Sequence, residues 1–408
     1  MTKAQLPCPA PQTRASLVAP LRAALVLALL VSAGMPRAFA QETPKSAMET
    51  AADEALLVDG KTGTILLQKN PDKPFPPASL AKMMTIEVVF EAVRSGRIAL
   101  DTEFPISVHA WRTGGAPSGT STMFAKVRST VAVSDLIRGA IIQSANDACI
   151  ALAEGIAGSE EAFAKLMNAR AERLGLTNSH FVNATGLPAE GQHVTVRDLV
   201  ILARHIRTTY PKLYAVYAEP NFTWNKIFQR NRNPLLKMDI GADGMETGYT
   251  EASGYALLGV TDRDDRVTYL AMSGLKSSRD RSQEARRLLD WAQESFKMRD
   301  LYRGGETVGS AEVFGGAASS VPLVAPRPIA ALVPQNEGER VSGEIRYNGP
   351  LAAPVEKGTT IAYLDVMVDG GKVLSEPLVA GTRVANGTFT DRAFGALREL
   401  AFGWLRAF

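Results

Sequence analysis

The order of strand-like and helix-like segments limits the folds open to this chain more than any other feature. Short apolar runs at residues 55–58 and 64–67 flank a glycine turn and predict a β-hairpin. Alternating runs at 255–260 and 267–272 predict strands again, followed by an amphipathic helix over 279–296. Helical patterns occupy the intervening sequence at residues 133–143, 147–155, 159–174 and 196–208. Strands on both sides of a helical block predict one sheet, completed by the two ends of a domain around a helical cluster.

Beyond Leu301 the pattern changes to short β-like runs separated by turns that contain Gly and Pro. These runs lie at residues 312–314, 321–324, 329–333, 343–347 and 360–366. They predict a small antiparallel sandwich with no cluster of residues that suggests chemistry. The expected fold class is therefore α/β (α+β), a domain with an antiparallel sheet and a helical cluster, plus a small all-β sandwich domain.

The N-terminal segment is basic, lacks acidic residues and carries a short apolar run at residues 23–31. Small residues at Ala38 and Ala40 suit signal peptidase, so we expect a secretory signal peptide that is cleaved after Ala40. The alternative, an uncleaved anchor, is disfavoured by the shortness of the apolar run. Cleavage removes four basic residues and leaves 41 basic against 42 acidic residues. The mature chain therefore has no excess of basic residues that would indicate binding to nucleic acid.

The mature chain keeps one cysteine, Cys149, in an apolar run, and we expect it to be a buried small hydrophobe without a disulfide. The histidines are scattered without the spacing of metal ligands, so we expect no metal and no cofactor. They are His109, His180, His193 and His205.

The C-terminal segment, Asp391 to Phe408, has helical periodicity, with apolar side chains on one arc and arginines on the other. One interpretation is a helix packed on the sandwich; the other is an in-plane membrane anchor. Its position after a complete β domain favours the anchor. The expected organisation is a signal peptide (1–40), the α/β domain (41–297), a β-sandwich (298–383) and an amphipathic anchor (384–408).

The segment 77–82, Pro-Ala-Ser-Leu-Ala-Lys, places Ser79 and Lys82 three residues apart at the start of a predicted helix. Prolines suit a first helical turn, and Lys82 lies one turn further on the same face. A helix start favours the negative charge of an attacking serine oxygen, and an amine nearby could take its proton. Taken alone, this spacing is weak, and an ordinary helix cap followed by a solvated lysine is the simpler interpretation.

Two further segments supply polar groups for such a site. Ser144 and Asn146 lie in a short bend between two helical runs, although a plain helix cap would also explain them. The segment Glu246-Thr247-Gly248-Tyr249 lies near the start of the returning strands. A similar segment at residues 61–63 lies in the turn of the first hairpin and is not favoured.

In this order the three motifs resemble the triple motif of serine penicillin-binding proteins and β-lactamases. With its flanking residues, the whole mature chain resembles the low-molecular-mass D-alanyl-D-alanine carboxypeptidases of the penicillin-binding protein 5 type. This resemblance implies that Ser79 attacks the D-Ala-D-Ala bond of a peptidoglycan stem pentapeptide while Lys82 takes its proton. It also implies that β-lactams are inhibitors, and that the protein works at the periplasmic side of the inner membrane.

The resemblance implies roles for the other motif residues as well. Ser144 and Asn146 would relay the proton and position the substrate. The N–H groups of Ser79 and Tyr249 would form the oxyanion hole, and Thr247 would bind the terminal carboxylate. Gly248 belongs to the same substrate-binding strand.

Glu246 departs from the family pattern, which has lysine at this position. A glutamate there repels a substrate carboxylate, by about 4 kcal/mol for a close contact at an effective dielectric constant near 20. Three interpretations are open: an impaired enzyme, a protonated glutamate, or a compensating cation. The candidate cations are Arg230, Arg232 and Lys276.

A D-Ala-D-Ala carboxypeptidase is the leading interpretation. The alternative from another class is a pseudoenzyme that binds penicillin or cell wall and has lost turnover at Glu246. A β-lactamase is a weaker alternative, because the sandwich and the tail argue against it.

Overall fold

The computed structural model describes residues 48–335, 340–390 and 392–393. The expected signal peptide, and residues 391 and 394–408 of the expected tail helix, lie outside the described residues. Within the described ranges, no helix combines the length and the hydropathy needed to cross a membrane.

A five-stranded antiparallel sheet organises the part of the chain that precedes Phe296, in the strand order β2-β1-β9-β8-β7. The elements of this part are β1 (Glu54–Asp59), β2 (Ile65–Lys69), α1 (Lys82–Arg94), β3 (Glu103–Pro105), β4 (Thr130–Ala132), α2 (Val133–Ile142), α3 (Asn146–Ala157), α4 (Glu160–Leu174), α5 (Val196–Thr209), α6 (Pro211–Tyr214), β5 (Asn221–Trp224), β6 (Ile227–Arg230), β7 (Ala242–Thr250), β8 (Gly254–Arg263), β9 (Arg266–Leu275) and α7 (Ser278–Glu294). The N-terminal hairpin pairs with β9, so the two ends of this part complete one sheet, as the sequence predicts.

Both faces of this sheet are buried. Alternation along β1 directs Leu56 and Val58 into a core shared with the helical block, whereas Leu57 joins a second core with Leu288 of α7. The predicted last helix ends at Glu294 rather than at Phe296, because Phe296 begins the next strand and its side chain fills the second core.

The hairpin of β5 and β6 is not predicted by the sequence patterns described above. Its turn residues, Asn225 and Lys226, both have positive φ angles, 47° and 67°, as two-residue hairpin turns require. Gln229 on β6 donates to the backbone carbonyl of Met123 at 3.2 Å. This bond ties the hairpin to the loop before β4.

The described residues after α7 form a β domain. Its strands are β10 (Phe296–Tyr302), β11 (Thr307–Phe314), β12 (Ser320–Val324), β13 (Ile329–Pro334), β14 (Val341–Arg346), β15 (Leu351–Ala352), β16 (Thr360–Val368) and β17 (Gly371–Ala380). β10 pairs with β13, and the others form a six-stranded sheet in the order β14-β16-β17-β12-β11-β15. One pairing, β11 with β15, is parallel rather than antiparallel as expected. A two-residue strand is too short to leave an alternating pattern in the sequence.

Candidate active site

Ser79 lies in a 3₁₀ turn, Ala78–Ala81, that leads directly into α1. The residue before it, Ala78, has a φ of 48°, a left-handed conformation that is rare outside glycine and concentrates at functional sites. Ser79 is half-buried, whereas Lys82 is only 2% exposed. The Nζ atom of Lys82 donates to the Oγ atom of Ser79 at 2.8 Å. Burial lowers the pKa of Lys82, which favours a free amine able to accept a proton.

Ser144 and Asn146 occupy the bend between α2 and α3, as the sequence predicts. Ser144 has a φ of 55°, and Asn146 begins α3. The side-chain amide of Asn146 donates to the Oγ1 atom of Thr120 at 2.9 Å. The Oγ atom of Ser144 and the Oδ1 atom of Asn146 are buried and have no hydrogen-bond partner among the residues that the structure describes. Both atoms therefore keep unused hydrogen-bonding capacity.

Asp147 anchors this bend, and the sequence analysis did not assign it a role. Its carboxylate accepts hydrogen bonds from the Thr122 hydroxyl at 2.7 Å and from the N–H groups of Met123 and Ala125 at 3.0 and 3.1 Å. These bonds hold the loop before β4 against the start of α3. The signal available in the sequence is an aspartate directly after a candidate catalytic asparagine, at the start of a predicted helix.

β7 is an edge strand of the sheet and passes beside the Ser79 turn. Gly248 makes this approach close: a Cβ atom there would lie 3.1 Å from both the Ala78 Cβ atom and the Pro77 carbonyl oxygen. Thr247 is buried, and Tyr249 is 53% exposed with its ring 4.3 Å from that of Tyr255. The strand that carries residues 246–249 therefore lies against the turn that carries Ser79.

Glu246 is 3% exposed, and its Oε1 atom accepts the N–H of Thr247 at 2.9 Å. Burial raises the pKa of Glu246 to about 7, although Lys82, Arg232 and the nearby Ser144 hydroxyl favour its charged form. Among the cations proposed from the sequence, Arg232 lies near enough for its positive charge to favour the ionised form of Glu246. Arg230 instead lies over the Phe228 ring at 5.9 Å.

Arg281 on α7 is a second cation near Glu246 that the sequence analysis missed. Burial lowers the pKa of Arg281, and Glu246 opposes that shift. Its Nε atom is buried without a hydrogen-bond partner in the described part of the chain, and its guanidinium lies 5.7 Å from the Tyr255 ring centre. No motif surrounds Arg281, so only packing reveals its position.

The chain matches the family model "D-alanyl-D-alanine carboxypeptidase" over residues 39–274. It matches the model "Penicillin-binding protein 5, C-terminal domain" over residues 296–386. The D-alanyl-D-alanine carboxypeptidase DacC of Escherichia coli K12 is 36% identical over 88% of this chain and 90% of its own. Penicillin-binding protein 5 from Haemophilus influenzae superposes with a TM-score of 0.70 at 33% identity, covering 83% of this chain and 99% of that one.

A more distant solved structure, penicillin-binding protein D2 from Listeria monocytogenes with ampicillin bound, is 27% identical with a TM-score of 0.52 and covers 60% of this chain. The fold is thus that of penicillin-binding proteins. More narrowly, the chain belongs to the D-alanyl-D-alanine carboxypeptidase family and carries the C-terminal domain of penicillin-binding protein 5. These matches confirm the resemblance seen in the sequence.

Proposed function

We propose that this protein is a serine-type D-Ala-D-Ala carboxypeptidase that removes the terminal D-alanine from peptidoglycan stem pentapeptides. The observation that carries the proposal is the 2.8 Å hydrogen bond between a buried amine, that of Lys82, and the hydroxyl of half-buried Ser79. Burial holds the pKa of Lys82 below its ordinary value, as a proton acceptor near neutral pH requires. β-Lactams present a similar carbonyl next to a carboxylate and acylate the same serine.

In the proposed reaction, the Ser79 oxygen attacks the carbonyl carbon of the D-Ala-D-Ala bond and Lys82 takes its proton. The N–H groups of Ser79 and Tyr249 stabilise the developing oxyanion. Ser144 passes a proton to the leaving amine, while Asn146 holds the substrate amide. Water then releases the acyl group and regenerates Ser79. No cofactor enters this scheme.

The substrate peptide lies in this proposal along the free edge of β7, where its backbone can add to the sheet. Thr247 holds the terminal carboxylate, and Gly248 keeps the strand close to Ser79. The positive charge of Arg232 supplies attraction that the family places on a lysine. The negative charge of Glu246 opposes this attraction. Binding of penicillin without turnover is therefore a second candidate function.

Labelled penicillin followed by peptide mapping tests the acyl-enzyme. We expect the label on Ser79, its loss in Ser79→Ala, and its retention in the control variant Ser95→Ala at the end of α1. Release of D-alanine from a pentapeptide then separates the two candidates. Label without release supports the binding protein, and a chain without label on Ser79 contradicts both.

Export and membrane association belong to the same proposal. Residues 1–40 act as a signal peptide, the catalytic domain spans 41–297 and the β-sandwich spans 298–383. Residues 391–408 form an in-plane anchor on the periplasmic side of the inner membrane, after the last sandwich contacts at Val384 and Asn386. The exposure of Phe389, 87%, at the start of the helical turn supports an apolar face that is open to a membrane surface.

Deletion of residues 391–408 tests the anchor. We expect the shortened protein to move from the membrane fraction to the soluble fraction of the periplasm and to keep its penicillin label. Replacing the same residues with a polar linker of equal length controls for chain length. Retention on membranes after both changes would contradict the anchor.

A further inference from the structure

A cavity of about 490 Å³ opens at the end of the central sheet where β7 turns into β8. The turn contributes Glu251 to its wall, and the paired strand ends contribute Tyr249 and Tyr255. Residues 73–76, shortly before the Ser79 turn, also line it. Of the residues that line this cavity, the proposed reaction uses only Tyr249. The cavity therefore adjoins the candidate active site and has no role in the reaction described so far.

The proposed binding mode determines which part of a substrate reaches this cavity. In that mode the terminal carboxylate lies at Thr247 and the scissile carbonyl faces the N–H of Tyr249. The substrate backbone therefore runs antiparallel to β7, and its preceding residues point towards the end of that strand at Thr250. An extended chain advances by about 3.3 Å per residue. The residue before the D-Ala-D-Ala unit thus comes level with the turn that contains Glu251, at the cavity.

Part of the cavity wall is aromatic. The rings of Tyr249 and Tyr255 lie 4.3 Å apart across the two strands, and Tyr249 is 53% exposed. Phe75 lines the cavity as well. A side chain with several methylene groups can cover such a surface and keep a charged end in water. The wall therefore suits a long, flexible side chain better than a short one.

The charged groups around the cavity leave an excess of negative charge. Glu54 is 3% exposed and pairs with Lys73 at 2.6 Å, so these two charges compensate each other. Asp53, Glu251 and Lys276 are exposed and also line the cavity. Their side-chain charges make no hydrogen bond or ion pair with another residue in the described ranges. Two uncompensated carboxylates against one ammonium group favour a cationic ligand.

We propose that this cavity is a subsite for the residue before the D-Ala-D-Ala unit, and that it selects a flexible apolar side chain ending in a primary ammonium group, as in lysine and related diamino acids. This inference rests on the proposed carboxypeptidase function. The methylene groups lie on the rings of Tyr249 and Tyr255, and the ammonium group meets the carboxylates of Asp53 and Glu251. Lys276 weakens the preference, because its charge repels the same ammonium group.

Two matched tripeptides test the inference: Nα-acetyl-L-Lys-D-Ala-D-Ala, and the same peptide with its side-chain amine also acetylated. Acetylation removes the charge and keeps the methylene groups. We expect kcat/KM for release of D-alanine at pH 7 to be about two- to fivefold higher for the charged peptide, the range of exposed ion pairs. Added salt should reduce this ratio, because it screens exposed charges. Equal kcat/KM values at low salt would overturn the inference.

Variants of the charged groups should move the ratio of the two kcat/KM values in opposite directions. In the double variant Asp53→Asn with Glu251→Gln, the ratio should fall to about one. In Lys276→Gln it should rise by about twofold, because a repelling charge is removed. The control Asp265→Asn removes one negative charge at the opposite end of the sheet, in the turn between β8 and β9, and should leave the ratio unchanged. A ratio that survives in the double variant would contradict the subsite.

Binding without turnover gives a second readout. In Ser79→Ala the two tripeptides bind without being cleaved, and calorimetry measures their affinities directly. We expect the charged tripeptide to bind about two- to fivefold more tightly, and the difference to disappear when Asp53→Asn and Glu251→Gln are added. Equal affinities in Ser79→Ala would overturn the inference.

Failure of this inference is distinct from failure of the proposed function. If neither tripeptide nor acetyl-D-Ala-D-Ala releases D-alanine, the carboxypeptidase function is wrong, and the affinities in Ser79→Ala decide the subsite. If D-alanine is released from both tripeptides with equal kcat/KM, only the subsite is wrong.

Discussion

At the scale of single residues, burial rather than formal charge controls the Glu246 carboxyl group. Its pKa of about 7 lies above the ordinary value of 4.5, because the cost of burying the charge exceeds the attraction of Lys82 and Arg232. The folded protein therefore binds a proton at Glu246 in a pH range where the unfolded chain has lost it. This difference couples the stability of the fold to pH.

The first prediction follows from the raised pKa of Glu246. Protonated Glu246 contributes stability that is fully present below about pH 4.5 and is lost as the pH rises through about 7. The free energy of unfolding of the unsubstituted protein, relative to Glu246→Gln, should fall by roughly 1.4 kcal/mol per pH unit across this window. Urea titrations of both proteins at a series of pH values measure it. If the free energies of unfolding of the two proteins changed with pH in parallel, Glu246 would have an ordinary pKa.

A second residue-scale prediction restores the family's lysine. Glu246→Lys removes the repulsion that ionised Glu246 exerts on a carboxylate, and it adds an attraction. Acylation by labelled penicillin above pH 7 should accelerate by about tenfold or more, since 1.4 kcal/mol corresponds to a factor of ten. Glu344→Lys makes the same charge change on the exposed face of β14 and is the control. An equal response of both variants would show that net charge, and not this contact, sets the rate.

At the scale of elements, the approach of β7 to the Ser79 turn assembles the site. The sheet supplies β7 as an edge strand, and Gly248 allows its backbone to lie against Ala78 and Pro77. On the other side, the Asp147 hydrogen bonds hold the loop before β4 against the start of α3. The reactive groups thus come from elements whose mutual position depends on packing.

The third prediction tests the closeness of β7. In Gly248→Ala the new Cβ atom meets backbone and Cβ atoms at 3.1 Å, so the strand must move away from Ser79. We expect the acylation rate to fall by about tenfold or more, because a small misplacement of reacting groups is costly. In the control Gly343→Ala, the added atom meets the Leu364 side chain at the same 3.1 Å, and that side chain can rotate away. Unchanged acylation in Gly248→Ala would contradict the role given to this contact.

At the scale of the whole molecule, one core joins the central sheet to the β domain. Leu332 of β13 is buried with Leu57, Leu66 and Phe296, and its N–H donates to the Thr64 hydroxyl at 3.1 Å. The remaining sandwich core is separate and includes Leu364. Damage to the shared core should therefore reach the active-site domain, whereas damage to the separate core should stay local.

The fourth prediction compares two truncations of buried leucines. Leu332→Ala removes packing from the shared core and should cost about 2–5 kcal/mol. Urea unfolding followed by circular dichroism and by penicillin labelling should shift to lower urea with both probes. Leu364→Ala should shift the circular dichroism transition and leave the labelling midpoint in place. If Leu332→Ala leaves the labelling midpoint unchanged, the two parts unfold independently.

Much of this fold could be predicted from the sequence, because helices and strands leave local periodic patterns. The first hairpin, the main helices and the returning strands were predicted close to their observed bounds. The short strand β15 and the hairpin of β5 and β6 were missed, because too few residues alternate in them. The end of the last helix was misplaced, because the burial of Phe296 in the second core leaves no local pattern.

The motifs alone identify the residues of the candidate site: Ser79 with Lys82, Ser144 with Asn146, and the strand that contains Glu246. Only the tertiary structure decided what surrounds them, including the Asp147 anchor, the nearby charges of Arg232 and Arg281, and the raised pKa of Glu246. The physical reason is that a motif is a local spacing along the chain. Charge interactions and desolvation instead depend on distances and burial, which exist only after distant segments pack together.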